Sequence, residues 1–118
     1  MRAAVYVVAV FVPPSHTEAV LAAVFAAGAG CVGAYDRCAF TVRGEGRFRP
    51  LAGASPFLGR PGADERTPED RVEFVAEDGL VDGVLTALRS AHPYQEPAIH
   101  LVRLDERCIP ADRLPSGV

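Results

Sequence analysis

An α+β fold of the ferredoxin-like kind, with two split βαβ units sharing one antiparallel sheet, is predicted by three features of this sequence. Two apolar strand patterns each lead into a helix pattern. The second half repeats the first at an offset of 64, so that Val8, Val10, Val20, Leu21 and Ala23 correspond to Val72, Phe74, Val84, Leu85 and Ala87. Further extended segments lie between the halves, which gives two helices on one face of the sheet and an added hairpin.

Ala3 to Val12 is apolar at odd and even positions alike, so both faces of this first strand require cover. At about ten residues it falls well short of the roughly twenty a membrane helix needs. Pro13-Pro14 ends it, and Ser15 with Glu18 has capping-box spacing. A helix then runs to about Ala27 with Val20, Leu21, Val24 and Phe25 as its apolar stripe, stopped by Gly28-Ala29-Gly30, which supply positive-φ positions.

Ala34 to Val42 reads as a strand, Gly44-Glu45-Gly46 as a turn and Arg47-Phe48-Arg49 as the returning arm of the hairpin. Leu51 to Glu69, rich in glycine and proline and without periodicity, is a long loop of the kind kept for binding or assembly. Arg71 to Ala76 is the next strand. Asp78 is the candidate N-cap of a helix from about Leu80 to Ala91, which buries Leu80, Val81, Val84, Leu85 and Leu88. Ala98 to Leu104 closes the sheet, giving one domain over residues 1–104 and a loosely held tail over 105–118.

A chain of 118 residues, 49% hydrophobic and 23% charged, is an ordinary globular composition. It can bury about two-thirds of its unfolded surface. The net charge of −3 gives no ground for a nucleic-acid or membrane partner. All twelve basic residues are arginine, which excludes lysine Schiff-base chemistry and a Walker-type lysine. Cys31, Cys38 and Cys108 form no CxxC pair and no signal segment is evident, so a cytoplasmic location is expected. Two helices cover one sheet face only. The second apolar face calls for a partner subunit, or else for the hairpin and long loop to fold across it.

The richest chemistry lies in Ala91-His92-Pro93-Tyr94-Gln95-Glu96-Pro97, where two prolines stiffen a turn that presents an imidazole, a phenol and a carboxylate. Tyr35, Asp36 and Cys38 are the other dense group. Together Tyr35, Asp36, Cys38, His92, Tyr94 and Glu96 are the candidate ligand-binding residues, expected to meet in one pocket or subunit junction. His92 and Glu96, with His100 and Cys38 as further zinc or copper ligand types, are candidates for a divalent metal, although their spacing is no known metal signature. The plainer readings are a helix-capping His92, a core Cys38 and a surface Glu96. A nucleophile-base pair of Cys38 and His92 requires the two to meet in space. Arg43, Arg47 and Arg49 around the glycine turn suit an anion-binding loop or a solvated hairpin face.

Phe-Val-Pro-Pro-Ser-His, the Gly33-Ala34-Tyr35-Asp36-Arg37-Cys38-Ala39-Phe40 segment, Gly46-Arg47-Phe48-Arg49-Pro50-Leu51 with Gly53, Pro56-Phe57 and Gly59, and His92-Pro93-Tyr94-Gln95-Glu96-Pro97 occur in one order. This series resembles the YqfO family, seen as short free-standing proteins and as the domain inserted in bacterial Nif-three-like proteins. The resemblance runs from Val5 to Leu104 and implies a CutA/PII-like ferredoxin fold with a tendency to form trimers. In the larger proteins the domains flanking the insert hold a metal pair, and the match covers none of those domains, so no cyclohydrolase-like activity is implied. Gln95 stands where the family commonly has a second glutamate. The expected function is an oligomeric binding or regulatory module, trimeric by preference, for an unidentified small-molecule or protein partner. The alternatives are a metal-binding protein or enzyme using His92 and Glu96, and a purely structural assembly domain.

Overall fold

A computed structural model describes residues 4–109. Its elements are β1 (Val5–Val12), α1 (Thr17–Ala26), β2 (Phe40–Phe48), β3 (Glu65–Glu77), α2 (Asp78–Ala91) and β4 (Ile99–Arg103), with short 3₁₀ turns at Pro14–His16 and Glu106–Cys108. The four strands are ordered β2-β3-β1-β4 and every neighbouring pair is antiparallel. This is the ferredoxin-like order expected from the repeat.

Period-two alternation along β1 and β3 sends Val8, Val10, Val12, Val72, Phe74 and Ala76 to one face. There they meet Val20 and Val24 of α1 and Val81, Val84 and Leu88 of α2, and all of these side chains are buried. The spacing 81, 84, 88 is one stripe of a 3.6-residue helix. Each such side chain contributes about 1.5–3 kcal/mol by leaving water. Gly28 (φ 101°) and Gly30 (φ 84°) end α1 in the left-handed region as expected.

The hairpin differs from the sequence-based expectation. Gly44-Glu45-Gly46 is not a turn, and no separate hairpin closes there, because those residues pair with Glu69, Pro68 and Thr67 inside β2. The Glu69 side chain lies across Gly46, where a Cβ would overlap the carboxylate. Glycine in this strand makes room for a neighbouring side chain. The hairpin is instead β2-β3 itself, with β3 lengthened to 13 residues and the connecting loop confined to 49–64. The expected strand from Ala34 is likewise shifted to start at Phe40. Ahead of it, residues 31–38 form a loop with a Val32–Tyr35 bridge, left-handed Gly33 and Arg37, and a Cys38 amide donating to the Gly30 carbonyl at 2.9 Å.

The start of α1 is also built differently from the expected capping box. No side chain caps the helix, Ser15 bonds to His16 Nδ1 at 2.7 Å, and Pro14–His16 form the 3₁₀ turn. Thr17 donates instead to buried Asp70 at 2.6 Å, and Arg43 pairs with the same carboxylate, tying α1 to β2 and β3. Asp78 is the first residue of α2, not its N-cap. Of the expected loose tail, residues 105–109 are held by a turn that buries Ile109, and 110–118 lie outside the described residues.

The face of the sheet away from the helices carries Phe40, Val42, Val75, Val7, Phe11 and Val102. Phe40 is 67% exposed, Val42 48% and Val102 59%. The 49–64 loop does not cover them. It folds to the end of the sheet, where Phe57 meets His16 and Tyr94.

Candidate functional site

Two loops meet at the end of the sheet where β1 finishes. Pro93 and Pro97 stiffen the 92–97 segment after α2, and the Ser55 amide donates to Gln95 Oε1 at 3.0 Å, which joins that segment to the 49–64 loop. Between them opens a cleft of about 380 Å³, lined among others by Phe11, Phe48, Phe57, Glu69, Tyr94 and Glu96. Its volume lies within the range of small-molecule sites. Phe48 and Phe57 lie 6.4 and 6.2 Å from the Tyr94 ring, both tilted against it. Arg47 and Arg49 stand at the rim, exposed.

His92 is only 6% exposed. Its Nδ1 accepts from the Tyr94 amide at 3.1 Å, so Nε2 carries the proton and donates to the Phe11 carbonyl at 2.7 Å. Burial holds its imidazole below the usual value, against the opposing pull of the Phe11 carbonyl and the Glu69 charge. Both ring nitrogens are thus engaged within the chain, Nδ1 by the Tyr94 amide and Nε2 by the Phe11 carbonyl. Among the described residues no three His, Cys, Asp or Glu side chains are grouped to hold an ion.

Tyr94 is oriented by this latch. Its ring packs at 4.9 Å from His92, and its hydroxyl oxygen is buried with no hydrogen-bond partner. Burial first, and then the adjacent Glu69 carboxylate, push the phenol well above its ordinary value, so it stays neutral.

Within one chain the two segments do not share a pocket. Cys38 bonds to Gly30, and Gly30 in turn bonds to Val75, which pairs with Val7. His92 bonds to Phe11, four residues further along β1, or about 13 Å of strand. Tyr35 is 74% exposed, and Cys38, half-buried, directs its thiol to the Asp36 carbonyl at 3.7 Å. Asp36 lines a second cleft of about 450 Å³ beside α1, with Cys31, Arg37 and Phe25. The pairing of Cys38 with His92 as nucleophile and base is therefore excluded by position. The anion-binding loop expected from Arg43, Arg47 and Arg49 is absent with its turn.

Phe11, Phe48, Phe57 and Glu69 were not among the sequence candidates. Glu69 lies inside the expected loop, and the signal that points to strand there is Val42, Gly44, Gly46 and Phe48 alternating with Arg43, Glu45 and Arg47.

Fold and cleft together define a ferredoxin-like α+β module with an aromatic-lined pocket at one end of its sheet. No family model matches the chain. It is 50% identical over 95 residues to a Mycobacterium leprae protein named GTP cyclohydrolase 1 type 2 homolog, covering 80% of this chain and 25% of that one. A solved structure described as a Bacillus cereus protein related to NIF3 is 37% identical at a TM-score of 0.78, over 89% of this chain and 27% of that one. The chain is thus related to the YqfO and NIF3 proteins, and it spans about a quarter of the length of the curated relatives it matches. CutA1 from Oryza sativa shares the fold at a TM-score of 0.64 with 15% identity, over 88% of this chain and 83% of that one.

Proposed function

We propose that this chain is a binding or regulatory module whose small ligand enters the cleft between the 49–64 loop and the 92–97 segment. The observation that carries this reading is the aromatic cleft itself, with the Tyr94 hydroxyl buried in its wall beside Glu69 and in no well-formed hydrogen bond. A buried unmade hydrogen bond costs about 1–3 kcal/mol. A ligand that supplies the partner recovers that loss.

The exposed Phe40, Val42 and Val102 support self-association through the open sheet face, since single-domain surfaces seldom leave such a patch wet. A trimer is the assembly implied by the sequence resemblance. Among the described residues no helix is long and apolar enough to cross a membrane. Three free cysteines suit a reducing cytoplasm. The test of the cleft is a melting-temperature screen across metabolite classes, followed by calorimetry on Tyr94→Phe and Phe57→Ala. Hits that stabilise the native protein and lose affinity in both variants support the reading. Hits indifferent to both variants overturn it.

A further inference from the structure

Glu69 shapes the choice of ligand. Its carboxylate is half-buried over the side-chain-free Gly46, and among the described residues it has no ion-pair partner. The nearby imidazole offers no charge, because His92 is neutral with both nitrogens in use. Arg47 alternates to the other face of β2 from Gly46 and Phe48 and has Glu45 at 3.8 Å. Arg49 is exposed beyond the strand end. A carboxylate withdrawn from water without a cation is a position of unmet charge. The cleft beside it holds the rings of Phe11, Phe48, Phe57 and Tyr94, with the Tyr94 hydroxyl next to the carboxylate, Glu96 on the same lining and Arg47 and Arg49 at the rim. Arg71, two residues along β3, is paired with Glu73 and stacks over Phe11. Aromatic faces attract cations through their quadrupoles, and an enclosed carboxylate beside them adds the counter-charge.

We infer that the cleft takes an organic cation, an ammonium nitrogen on an aromatic or apolar body, with Glu69 as its counter-ion. This rests on the cleft being the ligand site. The ammonium donates to Glu69 and to the unpartnered Tyr94 oxygen, and the body of the ligand lies against Phe48 and Phe57. A bare metal ion fits this set less well, because among the described residues no three acidic, imidazole or thiol side chains are grouped to hold one.

The test uses three probes of one shape, phenethylammonium, 2-phenylethanol and phenylacetate, titrated by calorimetry into the native chain, Glu69→Gln and Phe57→Ala. Circular dichroism confirms that each variant is folded; Glu69→Ala, which also removes the charge, stands in if Glu69→Gln is not, and Glu69→Asp, which keeps it, is the control. The expected result is that the ammonium binds at least tenfold more tightly than the alcohol, that phenylacetate is weakest, and that Glu69→Gln reduces the preference to under threefold. Glu69→Asp should retain most of it. Equal binding of ammonium and alcohol, both weakened by Phe57→Ala, overturns the cation inference and leaves the cleft standing. Probes that fail to bind, or bind regardless of Phe57→Ala, overturn both.

Discussion

Replacing His92 by alanine separates a latch from a ligand. The imidazole makes two hydrogen bonds, Nε2–H to the Phe11 carbonyl at 2.7 Å and Nδ1 from the Tyr94 amide at 3.1 Å. It also packs against the Tyr94 ring. Each bond is worth about 1 kcal/mol, and a backbone group left short of a partner raises the loss, so His92→Ala should cost about 2–4 kcal/mol. For a domain of this size that corresponds to a fall of roughly 8–16 °C in Tm. Urea unfolding followed by circular dichroism measures the loss directly.

The pH dependence supplies a second readout. The native imidazole titrates below its ordinary value. Its contribution is therefore complete above the unfolded pKa of about 6.5 and is lost as pH falls through the lower native value. The gap between native protein and His92→Ala should be widest near pH 8 and narrower near pH 5. A loss below about 1 kcal/mol at pH 8, or a gap that does not change with pH, would refute the latch.

Gly30→Ala should destabilise by about 1–3 kcal/mol in the same assay, because the site has φ 84° and a Cβ would meet the Cys38 carbonyl and the Phe25 ring at 2.9 Å. Phe40→Glu should leave the Tm of a monomer almost unchanged yet dissociate any oligomer seen by light scattering, since Phe40 is exposed in the single chain. An oligomer that survives this change uses another surface. Asp70 is held below the usual carboxylate range by the Arg43 hydrogen bond, against its own burial and with help from Thr17. Its stabilisation should be present above about pH 4 and disappear as acid passes the lower native value, and Asp70→Asn should remove that part of the acid unfolding curve.

How far the site was legible depended on what each residue contacts. The prolines around Tyr94 and Glu96 mark a stiff turn in the sequence itself, and both residues line the cleft. His92 stands in the same motif, but its role depends on a carbonyl 81 residues away. Nothing near it in sequence indicates that both ring nitrogens are used. Tyr35, Asp36 and Cys38 share only chemical type with it, and the loop at Gly30 and Gly33 carries them to the other end of the sheet.

The sequence by itself determined the architecture. Hydrophobic periodicity and the offset of 64 are local, repeated signals, and each reports which face of an element leaves water. They specified the two helices, the central strands, their common core and the glycine stops of α1. Tertiary structure decided the register of β2, the reach of β3 and the make-up of the cleft. Gly44-Glu45-Gly46 has the composition of a turn and becomes strand only because a 13-residue β3 lies beside it and the Glu69 side chain occupies the space over Gly46. Strand pairing is a contact between segments distant in sequence, so local propensity at those glycines could not state it. The cleft follows from the same cause: its walls come from β1, the β2-β3 arm, the 49–64 loop and the 92–97 segment, which meet only once the sheet has formed.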